Sequence, residues 1–280
     1  MNSKETWEKL QADLLEAQDR VNFKFKNLSS PKELFQFFDR NKSKLNILDV
    51  SYYKAMSTPK FGRLIITKLI VPENGRLYLE TAYYPTSKMH YGRTRIAIND
   101  LEVYSKHYME RMIERAGVKT VQDLKKWISN EWELLVDFKK RYPIGGIDVE
   151  TENLIICRDY VAFCDVERED TVNPLIEVPV VKNIRKTLIT KNEFTPSQKE
   201  IINYILDKLG TDACYLTATE VPRNKKTADN VIESTLKRTS EYKGSALQFY
   251  LENEVSKGKN TERLAKKALE KYLESYLYAP

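Results

Sequence analysis

The residue types best suited to chemistry lie in one short segment, SKHYMERMIER, at residues 105–115. If this segment is helical, His107, Arg111 and Arg115 lie at i, i+4 and i+8 and fall within about 80° of one another. Imidazole titrates near neutral pH, so it can take a proton from a ribose 2′-hydroxyl or give one to a leaving oxygen. Guanidinium groups bind phosphate bidentately and oppose the charge that develops on it. The spacing therefore favours phosphodiester cleavage without a metal ion.

The same segment also fits an ordinary solvated helix face without any chemistry. Glu110 and Glu114 stand close enough along the chain to pair with the two arginines. In that interpretation His107 is a partly buried packing residue. The chain has two histidines in total, and the presence of one of them in this row favours the chemical interpretation.

The other histidine, His90, lies in the loop YYPTSKMHYGRTR at residues 83–95, between two predicted strands. Basic side chains alternate there with aromatic ones, a pattern that suits phosphate binding and base stacking. An ordinary hairpin loop is an equally open interpretation. The candidate substrate-binding residues of the loop are Lys88, His90, Tyr91 and Arg93. If His90 and His107 lie together in the fold, they can form an acid–base pair.

A third group of candidates lies in the predicted strand RKTLIT at residues 185–190. The hydroxyl of Thr187 can donate a hydrogen bond to a phosphate oxygen, with the ammonium group of Lys186 nearby. Threonine is also a common strand residue, so a purely structural role stays open.

Hydrophobic periodicity predicts a helical beginning, two groups of strands separated by two helices, and a helical end. Strands are predicted at 45–56, 63–71, 76–84, 93–98, 153–157, 160–166, 175–181 and 185–190. Helices are predicted at 3–20, 31–38, 106–116, 120–138 and 195–210, and from 226 to the end with breaks near Gly244 and Gly258. This order indicates an α+β fold, an antiparallel sheet with packed helices.

Local signals mark several of these boundaries. The sequence PENG at 72–75 predicts a hairpin turn, and the first group of strands is expected to end at Ile98. Ser105 is expected to cap the helix that carries the candidate site, and Gly117 to end it.

The predicted elements group into three segments. Residues 1–59 form an N-terminal helical segment, residues 60–200 an α+β core with the candidate site, and residues 201–280 a C-terminal helical region.

The composition is that of a folded protein with a modest basic bias. The formal net charge is +6 and the isoelectric point is near 8.9, which favours a nucleic-acid or acidic partner. The three cysteines have no CxxC spacing, so they are expected to be buried thiols in a reducing compartment. The first 20 residues have no apolar signal core, and no run approaches the length of a membrane span. These features predict a cytoplasmic protein without a membrane partner.

The sequence contains none of the common metal, cofactor or nucleophile signatures. HExxH, paired CxxC, a P-loop, a dinucleotide fingerprint and GxSxG do not occur. The acidic stretch DVERED at 165–170 is better explained as a turn between strands. We therefore predict no cofactor and no metal site.

The segment S105-K-H-Y-M-E-R-M-I-E-R115, followed later by K186-T187, resembles a pattern in bacterial toxin ribonucleases of the barnase–EndoU–colicin–RelE type. The resemblance covers about residues 60–200 and is built from short motifs. It implies a small helix packed on an antiparallel sheet, and RNA cleavage without metal. By this likeness His107 is an acid or base, Arg111 and Arg115 hold phosphate, and Thr187 donates its hydroxyl. The resemblance also implies a toxin or phage-defence role and an inhibitory protein partner. The long helical additions at both ends depart from the compact toxin domain.

Two other function classes remain open. In a non-catalytic protein that binds nucleic acid or another protein, as an accessory of a phage or mobile element, the arginines and the tyrosine-rich loop make contacts and His107 is structural. In an assembly protein, the amphipathic region 226–280 forms a homo-oligomer. Replacement of His107 separates the first class from an enzyme, and deletion of 226–280 tests the second.

Overall fold

The computed structural model of the chain describes residues 2–26, 28–142, 152–172, 179–241 and 261–277. Within these ranges the chain has an α+β fold, as the sequence predicts.

The described residues form helices and strands with the following bounds. The helices are α1 (Ser3–Lys26), α2 (Pro31–Asn41), α3 (Lys106–Ala116), α4 (Val121–Arg141), α5 (Pro196–Leu209), α6 (Lys225–Glu241) and α7 (Thr261–Leu277). The strands are β1 (Ile47–Thr58), β2 (Gly62–Glu73), β3 (Arg76–Pro85), β4 (Ile96–Tyr104), β5 (Asn153–Cys157), β6 (Tyr160–Val172), β7 (Pro179–Thr190) and β8 (Ala213–Thr217). None of the described helices is both long and apolar enough to cross a membrane.

The chain divides into two compact units that are discontinuous in sequence. The first unit consists of Met1–Trp7, Glu102–Asp170 and Pro179–Ser245. The second unit consists of Glu8–Leu101, Thr171–Val178 and Ala246–Pro280. The segments 1–59, 60–200 and 201–280 stay a prediction of domain organisation. Strands occur in all three of them, since β1 lies in the first and β8 in the third.

The second unit is built on the antiparallel strands β1, β2 and β3. Asn74 and Gly75 join β2 to β3 with φ angles of 51° and 75°, and Glu73 pairs with Arg76. A two-residue turn with both φ angles positive is the type I′ hairpin that Asn-Gly favours, so the predicted PENG turn is confirmed. The apolar cluster against which α2 packs contains Leu34, Phe38, Ile65, Leu69 and Tyr84.

The C-terminal helix α7 packs within the second unit. Leu273 is fully buried and joins a cluster with Phe61, Leu64 and Ile96. Glu270 accepts a hydrogen bond from the backbone N–H of Lys60 at 2.7 Å. Part of the apolar side of α7 is therefore covered by its own unit, and a homo-oligomer through the C-terminal helices stays a prediction.

The first unit orders its strands β4, β7, β6, β5 and β8, where β4 contributes its last residues from Glu102 onward. β4 runs parallel to β7, with Glu102 beside Asn183 and Tyr104 beside Arg185. β5 is antiparallel to both β6 and β8. Helix α3 packs on β7, and α4 packs on β8.

Several predicted boundaries are corrected by the structure. The prediction that the first group of strands ends at Ile98 is wrong, because β4 continues to Tyr104, where Val103 is buried and Glu102 pairs with Arg185 of β7. The runs 175–181 and 185–190 were predicted as separate strands. Residues 179–190 form the single strand β7, whereas 173–178 lie outside the described residues. Strand β8 was not predicted. The prediction that the acidic stretch at 165–170 is a turn between strands is wrong, because these residues continue the strand β6.

The helix termini follow the sequence signals. Ser105 has extended backbone angles, and its hydroxyl oxygen accepts a hydrogen bond from the N–H of Tyr108. Gly117 ends the helix with a left-handed φ of 72°, which glycine adopts at little cost. Both predictions for α3 are therefore confirmed.

Candidate functional site

Helix α3 presents the predicted row of His107, Arg111 and Arg115, and its first turn is attached directly to β7. The hydroxyl of Ser105 donates a hydrogen bond to the carbonyl of Lys186 at 3.1 Å, and the N–H of Ser105 donates one to the carbonyl of Arg185 at 3.0 Å. The inward face of the helix is apolar and consists of Tyr108, Met109, Met112 and Ile113. This attachment leaves the opposite face of α3 for solvent.

His107 and Arg111 lie on this outward face. His107 is exposed, and Nε of Arg111 lies 3.5 Å from its Nε2, at the long end for a hydrogen bond. Nη1 of Arg111 pairs with Glu114 Oε2 at 2.7 Å. Because exposed ion pairs contribute only about 0–1 kcal/mol, a bound phosphate can compete with Glu114 for the guanidinium group. An exposed imidazole and a partly exposed guanidinium group are therefore side by side on this face.

The side chain of Arg115 extends toward the end of β7 instead. Its Nη1 donates a hydrogen bond to the carbonyl of Leu188 at 2.5 Å and lies 3.1 Å from Glu193 Oε1, and the side chain is 22% exposed. Phosphate binding by Arg115 stays a prediction, but the geometry instead favours a bridge from the last turn of α3 to the end of β7.

Lys186 and Thr187 occupy the middle of β7. Lys186 Nζ lies 2.7 Å from Asp165 Oδ2, and this contact lowers the pKa of Asp165 and raises the pKa of Lys186. Thr187 is half-buried. The structure thus brings the Lys186 backbone to the start of α3, while the Lys186 ammonium group pairs with Asp165.

The predicted loop around His90 belongs to the second unit. His90 is buried, with its ring 5.1 Å from that of Phe61 and its Nδ1 3.1 Å from Thr94 Oγ1. Tyr91 packs against the apolar cluster of α2 and β2. Lys88 and Arg93 are exposed. His90 and His107 lie in different units, and their acid–base pairing stays a prediction.

A buried polar cluster in the first unit was not found by sequence reasoning. Its centre is Glu131 of α4, which is 1% exposed. Oε1 of Glu131 lies 2.6 Å from Arg185 Nη2 and accepts a hydrogen bond from Tyr104 at 3.1 Å. Oε2 accepts hydrogen bonds from Tyr160 at 2.6 Å and from Tyr108 at 3.3 Å. The carboxylate therefore joins α4 to α3, β4, β6 and β7.

The second carboxylate of the cluster belongs to Glu102. Its Oε2 lies 2.9 Å from Arg185 Nη1, and its Oε1 accepts a hydrogen bond from Tyr215 at 2.8 Å. The guanidinium of Arg185 also lies 4.4 Å from the ring centre of Tyr104. A fully buried arginine is thus held by two carboxylates and one aromatic face.

Burial raises the pKa of the tyrosine hydroxyls in this cluster well above the usual value. For Tyr108 and Tyr160 the nearby charge of Glu131 raises the pKa further, because a second negative charge beside the carboxylate is unfavourable. These hydroxyls therefore remain protonated and act as hydrogen-bond donors.

One sequence signal for this cluster exists. Glu131 stands three residues after Ile128 and four before Leu135, in the middle of the apolar stripe of α4. A carboxylate at such a position needs a buried partner.

Comparisons of the chain with protein-family models, with curated proteins and with solved structures find no match. Among the described residues, no three His, Cys, Asp or Glu side chains come together as a metal-binding group.

Proposed function

We propose that the chain is a metal-independent ribonuclease that cleaves RNA by transesterification at the outward face of α3. The observation that carries the proposal is the exposed imidazole of His107 with the guanidinium group of Arg111 at 3.5 Å. This pair offers an imidazole, which can act as a general acid or base, and a guanidinium group, which binds phosphate.

Glu114 supplies a second proton-exchanging group on the same face. It follows His107 by seven residues, which places the two side chains within about 20° around the helix. In the proposed reaction the Glu114 carboxylate takes the proton of the ribose 2′-hydroxyl, and the 2′-oxygen attacks phosphorus. The bond from phosphorus to the 5′-oxygen breaks, and protonated His107 gives that oxygen its proton. Arg111 opposes the negative charge on the phosphate.

Further RNA contacts are proposed for two basic side chains of the second unit, Lys88 and Arg93. Lys88 and Arg93 are exposed on a loop held by backbone hydrogen bonds, among them Ser87 N–H to Phe61 and Thr94 N–H to His90. A loop that is ordered in advance loses little conformational entropy when it binds a phosphate backbone.

The cellular role is part of the proposal. Three free, buried cysteines suit a reducing compartment, so we place the protein in the cytoplasm. We propose that the protein acts in the cytoplasm as a toxin or a phage-defence effector, under the control of an inhibitory protein partner.

The products of the reaction test the proposed chemistry. We expect single-stranded RNA incubated with the protein in EDTA to give fragments with 2′,3′-cyclic phosphate ends, and 2′-O-methyl RNA of the same sequence to stay intact. Fragments with free 3′-hydroxyl ends, or cleavage of the methylated RNA, would show a different reaction.

One observation favours a second candidate, a non-catalytic RNA-binding protein. Arg115 is bound to Leu188 and Glu193 of its own unit, which leaves one arginine of the predicted pair on the outward face. For a binding protein we expect RNA affinity without cleavage, and an affinity that Arg111→Gln lowers while His107→Ala leaves unchanged.

A further inference from the structure

The last turn of α3 is attached to the strand beneath it through a charged contact that lies away from the outward face. Arg115 donates to the Leu188 carbonyl of β7 and pairs with Glu193, which lies between β7 and α5. Arg115 and Glu193 are partly shielded, at 22% and 36% exposure. Such a charge-assisted contact is stronger than an exposed ion pair.

Glu193 is itself held in place by the end of β7. Its Oε2 accepts hydrogen bonds from the N–H of Thr190 at 2.9 Å and from the Thr190 hydroxyl at 3.1 Å. Its own N–H donates to the Thr190 carbonyl at 2.8 Å. One carboxylate oxygen therefore binds the end of β7 while the other binds Arg115 of α3. Glu193 thus links the last turn of α3 to the end of β7.

Both ends of α3 are thus attached to β7. Ser105 at the first turn binds the Lys186 carbonyl, and the long side chain of Arg115 in the last turn reaches the Leu188 carbonyl. The buried side chains Tyr108, Met109, Met112 and Ile113 hold the body of α3, but they leave its last turn able to tilt. The Arg115 contact restricts that motion, so that His107 and Arg111 meet a phosphate in one geometry.

We infer that Arg115 and Glu193 form a clamp that positions the His107–Arg111 face, and that Arg115 is a positioning residue rather than a phosphate ligand. The inference rests on the proposed function for its catalytic consequence. The clamp itself does not depend on catalysis.

Arg111 provides a matched control, since it is the same residue one turn earlier in the same helix. We expect Arg115→Gln and Glu193→Ala each to speed hydrogen exchange of the α3 amides at 110–116 by about tenfold. We expect Arg111→Gln to leave that exchange unchanged. Glu220→Ala, which removes an exposed pair with Arg223, controls for the loss of a carboxylate.

Cleavage kinetics supply the functional measurement. We expect the clamp variants to lower kcat about tenfold with KM within about twofold, whereas Arg111→Gln raises KM, as the loss of a phosphate contact does. The Arg115→Gln, Glu193→Ala double variant should lower kcat by less than the product of the two single effects, because the two residues share one contact.

Each outcome decides the inference. Unchanged α3 exchange in the clamp variants overturns the clamp, whether or not the protein cleaves RNA. Faster exchange with wild-type kcat and KM means that the contact is structural and overturns the positioning role. A rise in KM for Arg115→Gln that matches the rise for Arg111→Gln makes Arg115 a phosphate ligand instead. If the wild type does not cleave RNA, the proposed function and the positioning role both fail, while faster exchange still supports the clamp.

Discussion

Arg185 Nη2 lies 2.6 Å from Glu131 Oε1 in the interior of the first unit, with both side chains at most 2% exposed. Burying two charges costs several kcal/mol for each ion, so the pair is stable only with further hydrogen bonds. Tyr104, Tyr108 and Tyr160 supply them to Glu131. The contact links α4 to β7, the strand to which α3 is attached, and so supports the candidate site from below.

Removal of the Glu131 charge is predicted to destabilise the first unit strongly. Glu131→Gln keeps the shape but leaves a buried amide with donors it cannot satisfy and Arg185 with Glu102 alone as its carboxylate partner. We expect the free energy of unfolding to fall by about 3 kcal/mol or more. Urea denaturation followed by tryptophan fluorescence measures it, because Trp7, Trp127 and Trp132 all belong to the first unit.

The matched control is Glu220→Gln, which removes an exposed carboxylate paired with Arg223. It should change the same free energy by less than about 1 kcal/mol. Equal effects of the two substitutions would contradict the structural importance of the buried pair.

The first unit is predicted to lose stability in alkali. The raised pKa values mean that buried tyrosines keep their protons in the folded state above pH 10, where the unfolded chain loses them. The same holds above about pH 9 for the buried thiols. The folded state then binds more protons, so stability is complete below about pH 9 and falls as the pH rises. The groups concerned are Tyr104, Tyr108, Tyr160, Tyr215, Cys157, Cys164 and Cys214.

Urea unfolding at pH 7, 9, 10 and 11 checks this dependence. Each group contributes up to about 1.4 kcal/mol per pH unit, and Tyr108→Phe should reduce the slope above pH 10 by about that amount. A free energy of unfolding that stays constant from pH 9 to 11 would contradict the burial of these groups.

The bounds of helix α3 could be predicted from the sequence, but the buried contacts that support the helix could not. Ser105 and Gly117 bound α3 because capping depends on residues a few positions apart, and the Asn74–Gly75 turn is equally local. Glu131 has one local signal that the sequence predictions did not use, its position as a charge within the apolar stripe of α4. Its partner Arg185 lies 54 residues away and carries no local sign of burial, since alternation along β7 does not reveal which face is covered.

The separation of the arginine row illustrates the same limit. Helical spacing predicts that His107, Arg111 and Arg115 lie on one side of α3, and residues 106–116 do form that helix. Whether a long side chain reaches solvent or a neighbouring strand depends on what lies beside the helix. Arg115 reaches Leu188 and Glu193, which no helical periodicity predicts. The extension of β4 to Tyr104 has a similar origin, since Glu102 is supported by Arg185 across the sheet.

Lys88 and Arg93 are predicted to contribute to RNA binding through charge. Two phosphate contacts to single-stranded RNA contribute about 1.4 to the slope of log K against log salt concentration. We expect Lys88→Gln with Arg93→Gln to reduce the slope by that amount. Fluorescence anisotropy with a labelled 2′-O-methyl RNA, which blocks the proposed cleavage, measures it.

Lys32→Gln with Lys44→Gln is the control for net charge, since both residues are exposed in the same unit. The control pair should leave the slope nearly unchanged. Equal changes of the slope in the two double variants would mean that RNA affinity depends on the overall charge of the protein and that the loop makes no specific contact with RNA.

His107→Ala removes the imidazole proposed as the general acid, and Lys106→Ala is its neighbour control on the same exposed turn of α3. Both proteins are purified in parallel with the wild type, matched for folding by tryptophan fluorescence, and assayed for RNA cleavage in EDTA. We expect His107→Ala to lower kcat by about 10²–10⁴-fold and Lys106→Ala to stay within about threefold of the wild type. Absence of cleavage by the wild type, or equal cleavage by the wild type and His107→Ala, would contradict the proposed function.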